Sequence, residues 1–307
     1  MNIVFLGTPE FSVPSLKRIC ELPFVKVLAV VCNRDKPFGR KKILTPPPVK
    51  VFAESQGIPV LQYDKIRIEG AIDLKKLNPD IMITCAFGQI LSQEILDIPK
   101  LGVYNIHASL LPKYRGASPI HYAILCGEKE TGVTIMKTDI GIDTGDVLLQ
   151  RSIPIEDGET CGELFARLSV LGAECIEEAL YAINSGKFEL VKQNDGYASY
   201  TKIIRKEDAL IDWNDSAENI VNKIRAFNPS PVAFTYLKGE IFKVYRAEIC
   251  DLKGNIGEAV FKDGKLVIGC KNGSVSLTEV CKAGGKKMPI KEFLLGNRIS
   301  EGEKFGV

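Results

Sequence analysis

Five short apolar runs, at residues 3–6, 25–31, 60–61, 81–86 and 101–104, constrain this chain more than any other feature. They are near-continuously apolar and do not alternate, the pattern of strands buried on both faces, as in a parallel sheet covered by helices. Residues 48–56 and 70–77 carry helix-like patterns between them. Strands and helices alternating at this spacing predict an α/β fold, a Rossmann-like, doubly wound sheet with right-handed crossovers. The first run ends at Gly7, and Ser12 is the expected N-cap of the helix that follows, with Pro14 tolerated in its first turn. No Gly-x-Gly-x-x-Gly follows the first strand. Without those pyrophosphate-cradling glycines, a nicotinamide or flavin dinucleotide is not expected as ligand.

In open α/β sheets the ligand sits outside the carboxyl ends of the strands. There the chain reads Asn105-Ile106-His107-Ala108-Ser109-Leu110-Leu111-Pro112 and continues to Arg115-Gly116. Asn105 and His107 lie two positions apart and therefore emerge on one side, placing a hydrogen-bond donor beside an acid or base. Strand-end polar residues that only satisfy backbone groups fit equally well at this point. Phe87-Gly88-Gln89-Ile90-Leu91 leaves the preceding strand at the same edge, either to line a slot for a flat ring or to pack a core. Further on, Asp139-Ile140-Gly141-Ile142-Asp143-Thr144-Gly145-Asp146 packs three acids and two glycines into a tight loop expected to aim a carboxylate inward. Calcium is the poorer alternative, because the EF-hand ligand spacing is missing. Helices at 118–126 and 161–182 and strands at 131–136 and 147–153 would complete a first domain over residues 1–183.

One connection is too long for its place. Residues 33–48 hold Arg34, Lys36, Arg40, Lys41 and Lys42 against Asp35 alone, with three consecutive prolines at the end. Loops longer than about 12 residues in compact domains are usually functional or disordered. The stretch reads as an arm that meets phosphates or, on composition alone, as a solvated basic loop. Whole-chain charge does not decide it, since 40 Lys plus Arg against 38 Asp plus Glu leave a net charge of +2. Nine cysteines without a Cys-x-x-Cys pair, and two histidines, make neither a disulfide framework nor a metal centre expected. No signal-like segment precedes the first strand, and no apolar run nears the roughly 18 residues that would span a bilayer. A cytoplasmic setting, no membrane association and no obligate protein partner are the expectations.

Residues 184–206 have a linker's composition, with Ser185-Gly186-Lys187 and Asn194-Asp195-Gly196. A second domain is expected over 207–307, opening with a helix at 216–227 capped by Ser216. Short β-rich runs at 232–237, 241–248, 258–261, 266–269 and 274–280 follow, and Lys238-Gly239, Asp263-Gly264 and Asn272-Gly273 signal turns between them. Five such strands predict a small OB-like β-barrel.

Set together, Phe5-Leu6-Gly7-Thr8-Pro9-Glu10-Phe11, Lys36-Pro37-Phe38-Gly39-Arg40, the 105–112 motif, Gly141-Ile142-Asp143-Thr144-Gly145-Asp146, Asp212-Trp213 and Arg225-Ala226-Phe227-Asn228-Pro229 closely resemble the methionyl-tRNA formyltransferase family over almost the full chain. Two positions depart from that pattern: Ser230 stands where many members carry Trp, and Ala233 falls near an expected Gly. The resemblance implies transfer of a formyl group from 10-formyltetrahydrofolate to the α-amine of methionyl-initiator tRNA, with no metal. It assigns Asn105, His107 and Asp143 to catalysis. Ser109, Leu110, Leu111, Pro112, Ile90 and Leu91 would bound the folate pocket, with a cis Leu111-Pro112 bond, and Arg40, Lys41 and Lys42 would meet tRNA. Three rivals compete. A glycinamide ribonucleotide formyltransferase would end after the first domain, a sugar-nucleotide formyltransferase would have no evident use for the basic loop, and a non-enzymatic RNA-binding protein would leave Asn105, His107 and Asp143 without purpose.

Overall fold

A computed structural model describes residues 1–39, 41–252 and 254–306. Two compact units emerge from the packing. One takes Met1–Gly116, Thr131–Ile153 and Phe165–Tyr200, the other Ala117–Glu130, Pro154–Leu164 and Thr201–Val307.

The first unit is built on a seven-stranded sheet. Its strands are β1 (Asn2–Gly7), β2 (Lys26–Cys32), β3 (Val60–Gln62), β4 (Ile81–Cys85), β5 (Val103–His107), β6 (Glu130–Lys137) and β7 (Val147–Pro154), in the order β7-β6-β5-β4-β1-β2-β3. The five strands from β3 to β5 pair in parallel, and β6 runs antiparallel to β5. Every residue of β4 is buried, and β1 is buried beyond its first position, as unbroken apolar runs at the middle of a parallel sheet require. From β1 the chain moves outward to β2 and β3, then returns to lay β4 and β5 on the other side. The order reverses between β1 and β4, which opens a crevice at their carboxyl ends.

Local chemistry holds that crevice. Ser12 occupies the expected N-cap position of helix Val13–Glu21, yet its hydroxyl makes no cap bond and donates to the Cys85 carbonyl at 2.6 Å, tying the helix start to the end of β4. Thr8 Oγ1 and Asn33 Nδ2 both donate to the Phe87 carbonyl, at 3.3 and 3.2 Å. Gln89 Nε2 donates to Asn33 Oδ1 at 2.7 Å and to the Tyr63 carbonyl at 3.1 Å, while its oxygen accepts from Ile66 N at 2.8 Å. The loop after β4 is thus tied to three other connections, by the Thr8 and Asn33 side chains and by its own Gln89 side chain on the backbone at Tyr63 and Ile66.

The 33–48 connection is more ordered than its composition indicates. Lys36–Phe38 and Ile43–Thr45 pair as a short antiparallel hairpin. The root is bound by charge: Lys50 Nζ reaches both Asp35 oxygens at 2.9 and 3.0 Å, and Gln62 Nε2 donates to Asp35 at 2.9 Å and to the Asn33 carbonyl at 2.7 Å. Hydrogen bonds from Gln62 and Lys50 hold the Asp35 carboxyl below the usual carboxylate range.

In the second unit, helix Ala217–Ala226 starts as its sequence predicts, with Ser216 Oγ accepting from Asn219 N at 3.2 Å. The six-stranded antiparallel sheet runs β8 (Phe234–Leu237), β9 (Glu240–Cys250), β10 (Ala259–Lys262), β11 (Lys265–Gly269) and β12 (Ser274–Lys282) in the order β8-β9-β12-β11-β10, with the short strand Met288–Pro289 paired on β12 off this path. An open sheet would leave two unpaired edges. Here the last residues bridge both: Phe305 pairs with Leu237 beside one edge and Lys304 with Glu258 beside the other, giving an OB-like half-barrel. Phe242 and Phe305 pack edge to face inside, next to Trp213, whose indole donates to Thr235 Oγ1 at 3.0 Å.

His121, partly buried near the Phe227 ring in this unit, has its pKa lowered from 6.5 by desolvation, against a hydrogen bond with Ser230 that acts to raise it. The unfolded chain therefore binds this proton first as pH falls. Stability is undiminished above the ordinary histidine value and declines as pH drops through it towards the folded value. Urea unfolding at pH 8 and pH 5.5 is expected to show a larger loss of midpoint for the parent than for His121→Gln.

Candidate functional site

Asn105, His107 and Asp143 converge at the carboxyl end of β5. Asn105 is fixed by its neighbour in register, since Thr84 Oγ1 donates to Asn105 Oδ1 at 2.9 Å and Thr84 lies opposite it on β4. That commits the oxygen and turns the amide nitrogen outward, where it reaches Asp143 Oδ1 at only 3.4 Å. His107 is buried at 6% exposure. Its Nε2 lies 3.0 Å from the Tyr114 carbonyl, which can only accept, so Nε2 carries a proton. The other nitrogen, Nδ1, faces Asp143 Oδ2 at 3.7 Å. The same carboxylate oxygen accepts from Gly116 N at 2.8 Å.

The Asp143 loop is shaped by its backbone. Asp143 sits at φ +52°, a left-handed conformation uncommon outside glycine, although aspartate enters it more readily than most residues. Two residues on, a Cβ on Gly145 would run into the Lys137 carbonyl. Gly145→Ala must therefore displace the loop that carries Asp143.

The 109–113 loop is held from beneath. Ser109 is fully buried and donates to the Lys113 carbonyl at 2.7 Å, Leu111 is buried, Leu110 half-buried, and Leu111-Pro112 is cis. Thr134, between apolar neighbours on β6, donates to the Ser109 carbonyl at 2.6 Å and accepts from Leu111 N at 3.1 Å and Gln150 Nε2 at 3.0 Å. Thr134→Val would leave these buried groups short of a partner, at about 1–3 kcal/mol. A lower urea midpoint is the expected result.

Of the pair on the loop after β4, Ile90 is exposed at 68%. Leu91 instead packs into a core cluster with Tyr63, Ile66, Phe87 and Ile95. Lys41 and Lys42 are exposed at the end of the basic hairpin. Arg40 lies outside the described residues. The hairpin leaves the carboxyl end of β2, three strands from β5, or about 14 Å along the sheet at the usual spacing. Sequence reasoning missed Thr84, Thr134, Gln150 and Gln193. A buried threonine inside an apolar run, as at Val133-Thr134-Ile135, is the signal that was available. Among the described residues no group of three or more His, Cys, Asp or Glu could hold a metal ion, and no helix is long and apolar enough to cross a membrane.

The formyl transferase family matches residues 1–180, and the formyl transferase C-terminal domain matches residues 203–298. The methionyl-tRNA formyltransferase of Geobacter metallireducens is 45% identical over 309 aligned residues, covering 100% of this chain and 99% of its own. Among solved structures, HypX from Aquifex aeolicus superposes with a TM-score of 0.65 at 22% identity over 98% of this chain, which spans 50% of that longer protein. An N-formyltransferase from Helicobacter canadensis, in complex with folinic acid and dTDP-3-aminofucose, gives 0.69 at 23% identity, covering 92% of this chain and 99% of its own. At such identities the two structures establish a shared fold. Because the sequence kinship runs the full length of the chain and through both domains, this protein belongs to the methionyl-tRNA formyltransferase family.

Proposed function

We infer that the chain transfers the formyl group of 10-formyltetrahydrofolate to the α-amine of methionyl-initiator tRNA, giving N-formylmethionyl-tRNA for translation initiation. The observation that carries the reading is the convergence of Asn105, His107 and Asp143, with Asp143 within 3.7 Å of each of the other two, in a chain whose full-length relatives carry that name.

Attack of a neutral amine on a formyl carbon forms a C–N bond and creates an oxyanion and a positive nitrogen. Breaking the donor's C–N bond then requires a proton on the departing nitrogen. The site needs a donor for the oxyanion and a group that takes a proton from one nitrogen and returns it to another. Asn105 Nδ2 fits the first task, because Thr84 occupies the amide oxygen and the nitrogen's contact with Asp143 is long. His107 and Asp143 fit the second. With Nε2 protonated, Nδ1 is a lone pair facing a carboxylate, an arrangement that becomes attractive once a proton sits between them. Ser109, Leu110, Leu111, Pro112 and Ile90 would bound the folate slot, with Leu91 supporting Ile90 from the core.

In this reading residues 1–183 carry folate and chemistry, with 193–200 folded back onto them, and 207–307 contribute tRNA binding. Lys282, Lys286, Lys287 and Lys291 are exposed in the second part, although Lys287 already pairs with Glu279 at 3.1 Å. The deciding assay compares methionyl-initiator tRNA with glycinamide ribonucleotide and an amino-sugar nucleotide as formyl acceptors. Preference for either small acceptor would overturn the reading.

A further inference from the structure

Gln193 lies in the stretch whose composition reads as a linker, yet it is buried at 8% exposure and its amide is used from both ends. Its oxygen accepts from Arg115 Nε at 3.1 Å and Nη2 at 2.9 Å. Its nitrogen donates to the Asp143 carbonyl at 2.9 Å and the Gly145 carbonyl at 2.7 Å. Turning the amide over would set an oxygen against two carbonyls and an NH2 against a guanidinium, so only one orientation is stable. Arg115, at 1% exposure, is anchored in turn. It donates to Asp195 Oδ1 at 2.7 Å and to the Tyr200 hydroxyl at 3.0 Å, and its backbone N–H donates to the Ser199 carbonyl at 2.8 Å.

Asp143 is therefore held at two points. The Gly116 N–H fixes its carboxylate, and the Gln193 amide fixes its main chain in the left-handed conformation that aims the carboxylate at Asn105 and His107. A glutamine serving only to fill space would have no reason to place both amide hydrogens on carbonyls of this one loop. We propose that Gln193, anchored by the buried Arg115, is a positioning residue for Asp143, so that the 193–200 segment sets the geometry of the reacting groups. The proposal rests on the reading of Asp143 as part of the proton-handling pair.

Two substitutions in the full-length protein separate donation from packing. Gln193→Glu keeps the partner for Arg115 but, ionised, cannot donate to the carbonyls. Gln193→Met keeps the volume and loses both functions. Both are expected to lower kcat for formyl transfer about 10- to 100-fold, while KM for the formyl donor and for methionyl-tRNA stays within about threefold, as loss of transition-state alignment requires. Amide hydrogen exchange supplies a readout independent of the reaction. The Gly116 N–H should exchange at least about tenfold faster in Gln193→Glu, with the Ile83 amide of β4 unchanged as a reference for global opening. If the Gln193→Met variant does not fold, the Glu substitution decides alone. Parental Gly116 exchange in Gln193→Glu, or full kcat in that variant, would overturn the proposal. Should the parent itself fail to formylate methionyl-tRNA, the functional reading falls, and the Gly116 exchange alone decides whether Gln193 positions Asp143.

Discussion

Alanine at Asn105, His107 or Asp143 is expected to cut turnover by about 10²–10³ while KM for the formyl donor stays within a few-fold. Each group meets charge that appears as the amine attacks, and removing one preorganised donor from such a site typically costs that much. The three should also be non-additive, because they hold one another. Asn105 Nδ2 and Asp143 Oδ1 are 3.4 Å apart, and Asp143 Oδ2 is 3.7 Å from His107 Nδ1. A double substitution of His107 and Asp143 should be little worse than the more damaging single one, since either alone disables the shared proton carrier. Single-turnover rates with pre-bound donor separate this from weakened binding. A single variant with near-parental rate would remove that residue from the chemistry, and full additivity would separate the pair.

The sheet was legible because buried parallel strands advertise themselves as unbroken apolar runs, as Ile3 to Leu6 and Ile81 to Cys85 do. Asn105 and His107 were legible because strand alternation places residues two apart on one side. What composition concealed was the reach of connecting segments. The Ser-Gly-Lys and Asn-Asp-Gly turns within 184–206 are the usual mark of a tether, and they do not tell that Gln193 and Ser199 fold back onto Arg115 and the Asp143 loop. Nor do they tell that 117–130 and 154–164 pack with the second unit, because such groupings are decided by partners far away in the chain. Ser12 shows the same limit on a smaller scale: propensity places it at the helix start, but its hydroxyl goes to Cys85, a partner 73 residues away.

Replacing both Lys41 and Lys42 with Ala is expected to raise KM for methionyl-tRNA by about tenfold or more at moderate salt, and to flatten the slope of log affinity against log salt by about two, one for each lost phosphate contact. Folate affinity should not change, because the hairpin leaves β2, whereas the residues proposed to bound the folate slot leave β4 and β5. The hairpin suits this role better than the lysines of the second unit. Lys287 is already 3.1 Å from Glu279 and 5.5 Å over the Tyr245 ring, and Lys282 donates to Asn297, so a phosphate arriving there must displace partners. Lys41 and Lys42 are exposed at the end of a hairpin whose root is clamped by Asp35, Lys50 and Gln62, so little ordering cost remains when a phosphate binds. Loosening the root should then act on tRNA alone. Lys50→Ala removes both contacts to Asp35 and is expected to raise KM for tRNA with the salt slope nearly unchanged, because it costs preorganisation and removes no phosphate contact. If the Lys41 and Lys42 double variant kept the parental salt slope, the hairpin would be a solvated basic turn and the tRNA contacts would have to be sought among Lys282, Lys286 and Lys291.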